Sequence, residues 1–330
     1  MSVVTNLESR YTENLPWPFR EEQQDFQYSV NVEPARILKK TQAGKWGAEI
    51  VDLGGEEYLH IMKERRRILE EDPSRVQILP GMMPACWDLL MYYLRDLSIA
   101  HPTSMHLKED GDVVHWRNDL LGTDQTFRIG DEDSLPFDPL TFLGREIPDD
   151  LLLVKERGGQ LYFDAGLVTF AAAWSVTFDA GMSFREIHTP VPRLNGEGIT
   201  SRAEQFLMRL PQDKVYRRVN WTLSASGSRK LDISLEKLPE WGQDIPQLLA
   251  TGDLGNLQLR IELEHFIRLP MSGAITFSIR TFMASLKEIK NIPIWRDQLA
   301  KILMSTPEDI ATYKGFIEYR EAAAAWLLEK

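Results

Sequence analysis

The sequence predicts an α+β protein in which an antiparallel sheet of five or six strands carries helices on one face. Three observations lead there. Long runs over Val215–Ser224, Leu257–Leu269 and Ala274–Phe282 alternate or are continuously apolar, as strands buried on one or both faces do. A compact apolar segment punctuated by glycine precedes them at 151–178. Segments with helical periodicity lie before and after, at 56–100 and 294–328.

Taken in order, residues 1–50 are irregular and rich in turn formers, such as Pro16-Trp17-Pro18-Phe19, and predict an arm laid over the main body. In 56–71, Tyr58, Ile61, Met62, Ile68 and Leu69 recur near the 3.6-residue period, so this is an amphipathic helix stopped before Pro73. A second, more apolar helix over Ala85–Ala100 is bracketed by Pro80, Pro84 and Pro102. Short strands follow at Asp112–Asn118 and Thr126–Gly130, and the acidic, proline-bearing stretch 131–150 is expected to be a loop. Leu151–Glu156, Gln160–Asp164 and Leu167–Phe178 predict strands, with turns at Gly158-Gly159 and Ala165-Gly166. Met182–His188 is a short amphipathic element, Ser201–Leu210 a helix, and Ile294–Met304 and Pro307–Leu328 a helical tail. The expected organisation is an arm and helical extension over 1–110, a sheet-bearing core over 111–285 and a helical extension over 286–330.

Composition narrows the function. The 330 residues are 43% hydrophobic and 26% charged, ordinary for a globular chain with a substantial core. No apolar run reaches the roughly 18 residues of a membrane span. The opening MSVVTNLESRYTENL lacks the basic-then-apolar order of a secretory signal, so the cytoplasm is the expected location. Lys+Arg total 38 against 49 Asp+Glu. The net charge of -11 argues against nucleic acid or anionic lipid as partner. Cys86 is the single thiol, which excludes internal disulfides and cysteine-cluster metal sites. No phosphate loop, dinucleotide fingerprint, HExxH or GxSxG motif is present.

Chemistry must then come from scattered residues. Of six histidines, His60 sits on an amphipathic helix and His265 within a strand, both ordinary structural positions. His101, His106 and His115 stand 5 and 9 residues apart in irregular sequence, which is weak evidence for a shared metal. His188 differs, because Thr189-Pro190-Val191-Pro192 follows it. Those prolines fix φ and remove donors, holding the imidazole rigidly at a helix end. That suits a ligand or catalytic histidine, although a structural one at a helix terminus is the commoner case. The late strands hold a second anomaly. Arg218, Asn220 and Thr222 share one side of their strand, Glu262 shares a side with Arg260 and Glu264, and Arg280 with Thr276 and Ser278. Such residues form either a solvated sheet face or a polar wall over a ligand on which Arg218, Asn220, Glu262 and Arg280 converge.

These motifs resemble a known family. Ile187-His188-Thr189-Pro190-Val191-Pro192 is similar to its IHxPVP motif and Arg218-Val219-Asn220-Trp221 to its RxNW. Leu259-Arg260-Ile261-Glu262 through Arg268-Leu269-Pro270 resembles LRVERQTLRRLP, 274–282 resembles AxxFTIRTY, and Tyr313-Lys314-Gly315 the terminal YKG. The family is that of the haem-dependent oxidative N-demethylase α-subunit, and the resemblance runs from about Trp46 to Gly315. The sequence departs from it at Leu263, Glu264 and His265, which replace R-Q-T and alter the charge of the pocket.

The resemblance implies a PAS-like haem-binding domain with added helices, and a monooxygenase that converts dimethylamine to methylamine and formaldehyde with O2. Haem b would be resident here. NADPH electrons would arrive through FMN and a 2Fe-2S cluster on partner subunits, and a tetrahydrofolate-binding partner would take the formaldehyde. His188 would be the axial ligand, with Trp174, Phe178, Trp221 and Phe277 as apolar walls. Arg193, with Arg185 and Arg202, would face the propionates. Arg218 and Asn220 would polarise dioxygen, and Glu262 would accept from the amine. Two rivals remain at this point: a haem-based gas sensor without turnover, and a non-catalytic subunit with an empty pocket.

Overall fold

The computed structural model describes residues 10–329 apart from Ser29, Asn195 and Ser228. Residues 1–9 of the expected arm therefore lie outside the described residues. The strands, in chain order, are β1 (Glu33–Pro34), β2 (Lys39–Lys40), β3 (Lys45–Trp46), β4 (Val76–Ile78), β5 (Met105–Asp110), β6 (Val113–Asn118), β7 (Thr123–Arg128), β8 (Asp150–Arg157), β9 (Gln160–Leu167), β10 (Val215–Ser224), β11 (Gln258–Arg268) and β12 (Ile275–Ser285). Seven of them form one sheet in the order β1-β10-β11-β12-β8-β9-β4, antiparallel throughout. The architecture is α+β, as the sequence predicts, with one more strand than the upper expectation. Both edge strands, β1 and β4, are short and come from the N-terminal region, before residue 111. Separately, β5, β6 and β7 make a three-stranded meander.

Three local expectations are corrected. Ala165-Gly166 is not a turn, because β9 runs straight through it. A Cβ on Gly166 would stand 2.6 Å from the Phe163 ring and 3.1 Å from the Leu151 carbonyl, so glycine is needed there for close packing within the sheet. The strand expected over Leu167–Phe178 ends at Leu167, and the helix Val176–Asp179 closes the segment. The supposed loop 131–150 contains the helix Pro139–Gly144, started by Asp138, whose carboxylate accepts from the Thr141 N–H.

One face of the sheet is covered by helices. Met83–Ala100 buries Leu89, Leu90, Tyr93, Leu94 and Leu97 against β8, β9 and the meander. The C-terminal helices bury Trp295, Leu299 and Leu303 against Trp221, Ile261 and Leu263. No helix among the described residues is long and apolar enough to cross a membrane. The second face carries Val154, Phe163, Phe266 and Phe277, packed with Phe184 and Leu207, and opens onto a cavity.

The start of β8 also buries charge. Arg65 pairs with Asp150 at 3.0 Å, and Asp150 accepts the N–H groups of Thr169 and Phe170 at 3.0 Å each. Beside them Asp149 is fully buried. Burial pushes its carboxyl up to about 7, against the opposing pull of Arg280 and Arg65. The folded state therefore keeps a proton that the unfolded chain releases near pH 4, so stability falls as pH rises through that window. The loss attributable to this carboxyl is up to about 4 kcal/mol. Urea unfolding at pH 4 and pH 8 is expected to show that loss in the wild type and its absence in Asp149→Asn. An equal fall in both proteins would assign the pH dependence to other groups.

Candidate functional site

The cavity on the second face has a volume of about 940 Å³, within the range that holds a cofactor-sized ligand. Its wall is built from alternate residues of the central strands. Tyr216, Arg218, Asn220 and Thr222 of β10 face it, as do Glu262, Glu264 and Phe266 of β11 and Phe277 and Ile279 of β12.

His188 stands at another wall. Ser183 and Glu186 form a reciprocal capping box that starts the single-turn helix Phe184–Ile187, and His188 terminates it. Its ring lies 4.2 Å from that of Phe184. Beyond the histidine, the Tyr28 hydroxyl donates to the Pro192 carbonyl at 2.6 Å and ties down the proline loop. His188 Nδ1 lies 2.7 Å from the Phe184 carbonyl. A carbonyl can only accept, so Nδ1 bears the proton and Nε2 keeps its lone pair. Burial is the largest cause depressing this imidazole to about 4, with the Arg218 charge adding to it, so the ring is neutral at pH 7. Among the described residues nothing bonds to Nε2.

On the sheet wall of the cavity, Arg218 grips Glu264 with two parallel contacts, Nε–Oε2 and Nη2–Oε1, each 2.9 Å. The two residues are direct cross-strand partners, as are Asn220 and Glu262. Asn220 Nδ2 donates to Glu262 Oε2 at 3.2 Å. Arg260 Nε reaches the other Glu262 oxygen at 3.3 Å. Lys314 Nζ donates to Asn220 Oδ1 at 3.1 Å and to the Trp221 carbonyl. Phe266 and Phe277 meet edge to face at 4.9 Å beside this polar group.

The structure thus brings His188, Trp174, Phe277, Arg218, Asn220 and Glu262 to one cavity and leaves four expected residues elsewhere. Arg280 is opposite Leu263, on the helix-covered face, where it donates to the Asp52 carbonyl and pairs with Glu57, each at 3.2 Å. The polar side of β12 is simply the reverse of the polar side of β10 and β11. Trp221 points the same way, stacked 5.7 Å from Phe316. Phe178 is 68% exposed on the surface. Arg193 is spent on Asp309, 2.7 Å away. Of the arginines considered for propionates, Arg185 binds Glu204 and only Arg202 lines the cavity.

Residues that sequence reasoning passed over are equally clear. Glu264 is the partner of Arg218, although it marked a departure from the family motif. Lys314 was visible in the YKG motif without a role. Asp179 lines the cavity, and burial lifts its carboxyl to about 6. The remaining histidines lie apart from the cavity. His106 and His115 bind Asp119 and Asp124 at 3.0 and 2.8 Å, and His101 contacts the Val51 carbonyl. His265 is buried on the opposite face of the sheet. Cys86 is buried in the helix Met83–Ala100, its thiol pushed up to about 12 by desolvation.

A family model described as haem-dependent oxidative N-demethylase, alpha subunit-like, matches residues 46–324. The chain belongs to that family. The residues present fit the haem on which this N-demethylase family depends. A neutral imidazole, oriented by a backbone carbonyl and with Nε2 free, is the donor expected of a haem ligand. The apolar flanks formed by Phe184, Phe266 and Phe277 suit a macrocycle, and Arg202 offers a cation at the wall. Among the described residues no group of three or more His, Cys, Asp or Glu is placed to hold a metal ion. A haem site needs one protein ligand, and His188 meets that requirement.

Proposed function

We propose that this chain is the catalytic, haem b-carrying subunit of a cytoplasmic monooxygenase that removes a methyl group from dimethylamine. The reaction balances as dimethylamine plus O2 plus NADPH and a proton giving methylamine, formaldehyde, water and NADP+. The observation that carries this reading is the presence, in one cavity, of a neutral His188 with free Nε2 and the polar group of Arg218, Glu264, Asn220 and Glu262.

Haem, when bound, supplies the redox chemistry that activates dioxygen. His188 would hold it through Nε2, with Arg202 set to meet a propionate. Arg218, fixed by Glu264, presents its remaining N–H groups as preorganised donors where negative charge develops on oxygen. Glu262 accepts the amine N–H and orients the methyl group for oxidation. Phe266 and Phe277 exclude water from this end of the cavity. Reduction by NADPH requires the partner subunits carrying FMN and a 2Fe-2S cluster, and a tetrahydrofolate-binding partner would receive the formaldehyde.

The haem-loaded chain alone is expected to leave NADPH unoxidised, yet to form formaldehyde from dimethylamine and O2 when dithionite supplies the two electrons that each turnover needs. NADPH turnover by the chain alone would remove the need for partners. Failure of the dithionite-reduced chain to form formaldehyde would favour the sensor or non-catalytic alternatives.

A further inference from the structure

Charge around Glu262 does not favour a cationic guest. Two carboxylates, Glu262 and Glu264, face three cations. Arg218 grips Glu264, Arg260 Nε is 3.3 Å from Glu262, and Lys314 bonds Asn220, which in turn bonds Glu262. Arg260 is fully buried and its other nitrogens are held by the carbonyls of Leu231 and Phe170, so it cannot swing away. Lys314 comes from the C-terminal segment, anchored where Thr222 Oγ1 donates to the Lys314 carbonyl at 2.8 Å. The other titratable groups of the cavity do not change this count. His188 is neutral and Arg202 donates to the Glu197 carbonyl. Asp244 faces Lys230 at 3.4 Å. Tyr313, whose hydroxyl burial keeps protonated, feels Glu262, Arg218 and Asp179, the charge acting on Asp179 is Glu236, and Glu262, Arg218 and Glu264 are the charged groups acting on Lys314.

We propose that Lys314 makes the site take its amine as the uncharged free base, whose N–H donates to Glu262, and reject the ammonium form. This rests on the reading of Glu262 as the amine's acceptor. Lys314 is a positioning residue: its fixed positive charge uses up the field of Glu262 that an ammonium would otherwise occupy. Like charges a few ångströms apart in a partly desolvated cavity repel by at least about tenfold in affinity. Burial also depresses the Lys314 ammonium to about 8, so the test belongs below that pH.

The test titrates haem-loaded protein with dimethylamine between pH 6.5 and 7.5, following the Soret band rather than turnover. Alkylammonium groups lose their protons near pH 10.4, so the free-base fraction rises about tenfold per pH unit in this range. Wild-type affinity for total amine is expected to rise by about that factor. Lys314→Arg, which keeps the charge, should do the same. Lys314→Met should bind about tenfold tighter at pH 6.5 and lose most of the pH dependence. A clear amine shift with flat pH dependence in the wild type, or Lys314→Met indistinguishable from it, overturns the proposal and leaves the amine site standing. No amine-dependent shift in any haem-loaded protein overturns both.

Discussion

His188→Ala purifies as a folded protein that has lost its haem: this is the expected result, with haem content reduced by well over tenfold. The physical ground is that His188 is the sole histidine lining the cavity among the described residues. Its ring is set by the Phe184 carbonyl and by the proline loop that Tyr28 ties down. Replacement by alanine removes the donor without disturbing the capping box that builds the helix. The Soret absorbance of the purified variant, with circular dichroism to verify the fold, checks it. An unchanged imidazole-ligated spectrum would overturn the assignment. His265 offers no ready substitute, since the sheet itself lies between its ring and the cavity.

Glu264→Gln should be the most destabilising single change on the polar wall, costing about 3 kcal/mol of unfolding free energy. Glutamine keeps the shape and loses the charge, so the Arg218 guanidinium is left without its counter-ion in a largely desolvated place. The cavity side of the pair keeps some solvent contact, which holds the cost at the lower end for a broken buried pair. Glu262→Gln provides the contrast. Glu262 has no bidentate arginine and keeps Asn220 and Arg260 as neighbours. Its loss takes the carboxylate from the buried Arg260, whose other nitrogens keep their carbonyl acceptors, and should cost about 1.5 kcal/mol of stability while weakening amine binding. Denaturant unfolding of the two variants side by side decides the matter. Equal stability of both with the wild type would make this face an ordinary solvated one. A double change, Arg218→Leu with Glu264→Leu, should recover most of the stability lost by Glu264→Gln and none of the activity.

The PAS-like reading, the dimethylamine substrate and the partner subunits rest on the family resemblance rather than on any residue geometry. Much else was open to inspection in the sequence alone. Strand periodicity gave β10 and β11 nearly to the residue and β12 to within three residues of its end, because alternate apolar and polar positions are fixed by the pleat itself. The histidine followed by two prolines was conspicuous for a local reason: proline constrains only its immediate neighbours, and that constraint can be read from the chain. A single cysteine left no room for internal disulfides or a cysteine-cluster metal site.

Tertiary structure decided how those strands face one another. Period two says which residues of one strand share a side, but not which side meets the cavity. Relative orientation between strands depends on the connecting segments and on register. Glu264 lies opposite Arg218 and Leu263 opposite Arg280. That pairing put Glu264 rather than Glu262 against the arginine, and it turned Arg280 and Trp221 to the far face. Lys314 could be placed only by folding, because it lies 94 residues from Asn220 and no local pattern joins them. Sequence thus determined the elements and the one rigid histidine. The register of β10, β11 and β12 and the return of the C-terminal segment selected which charges meet, since side chains interact across a fold by distance and not by order along the chain.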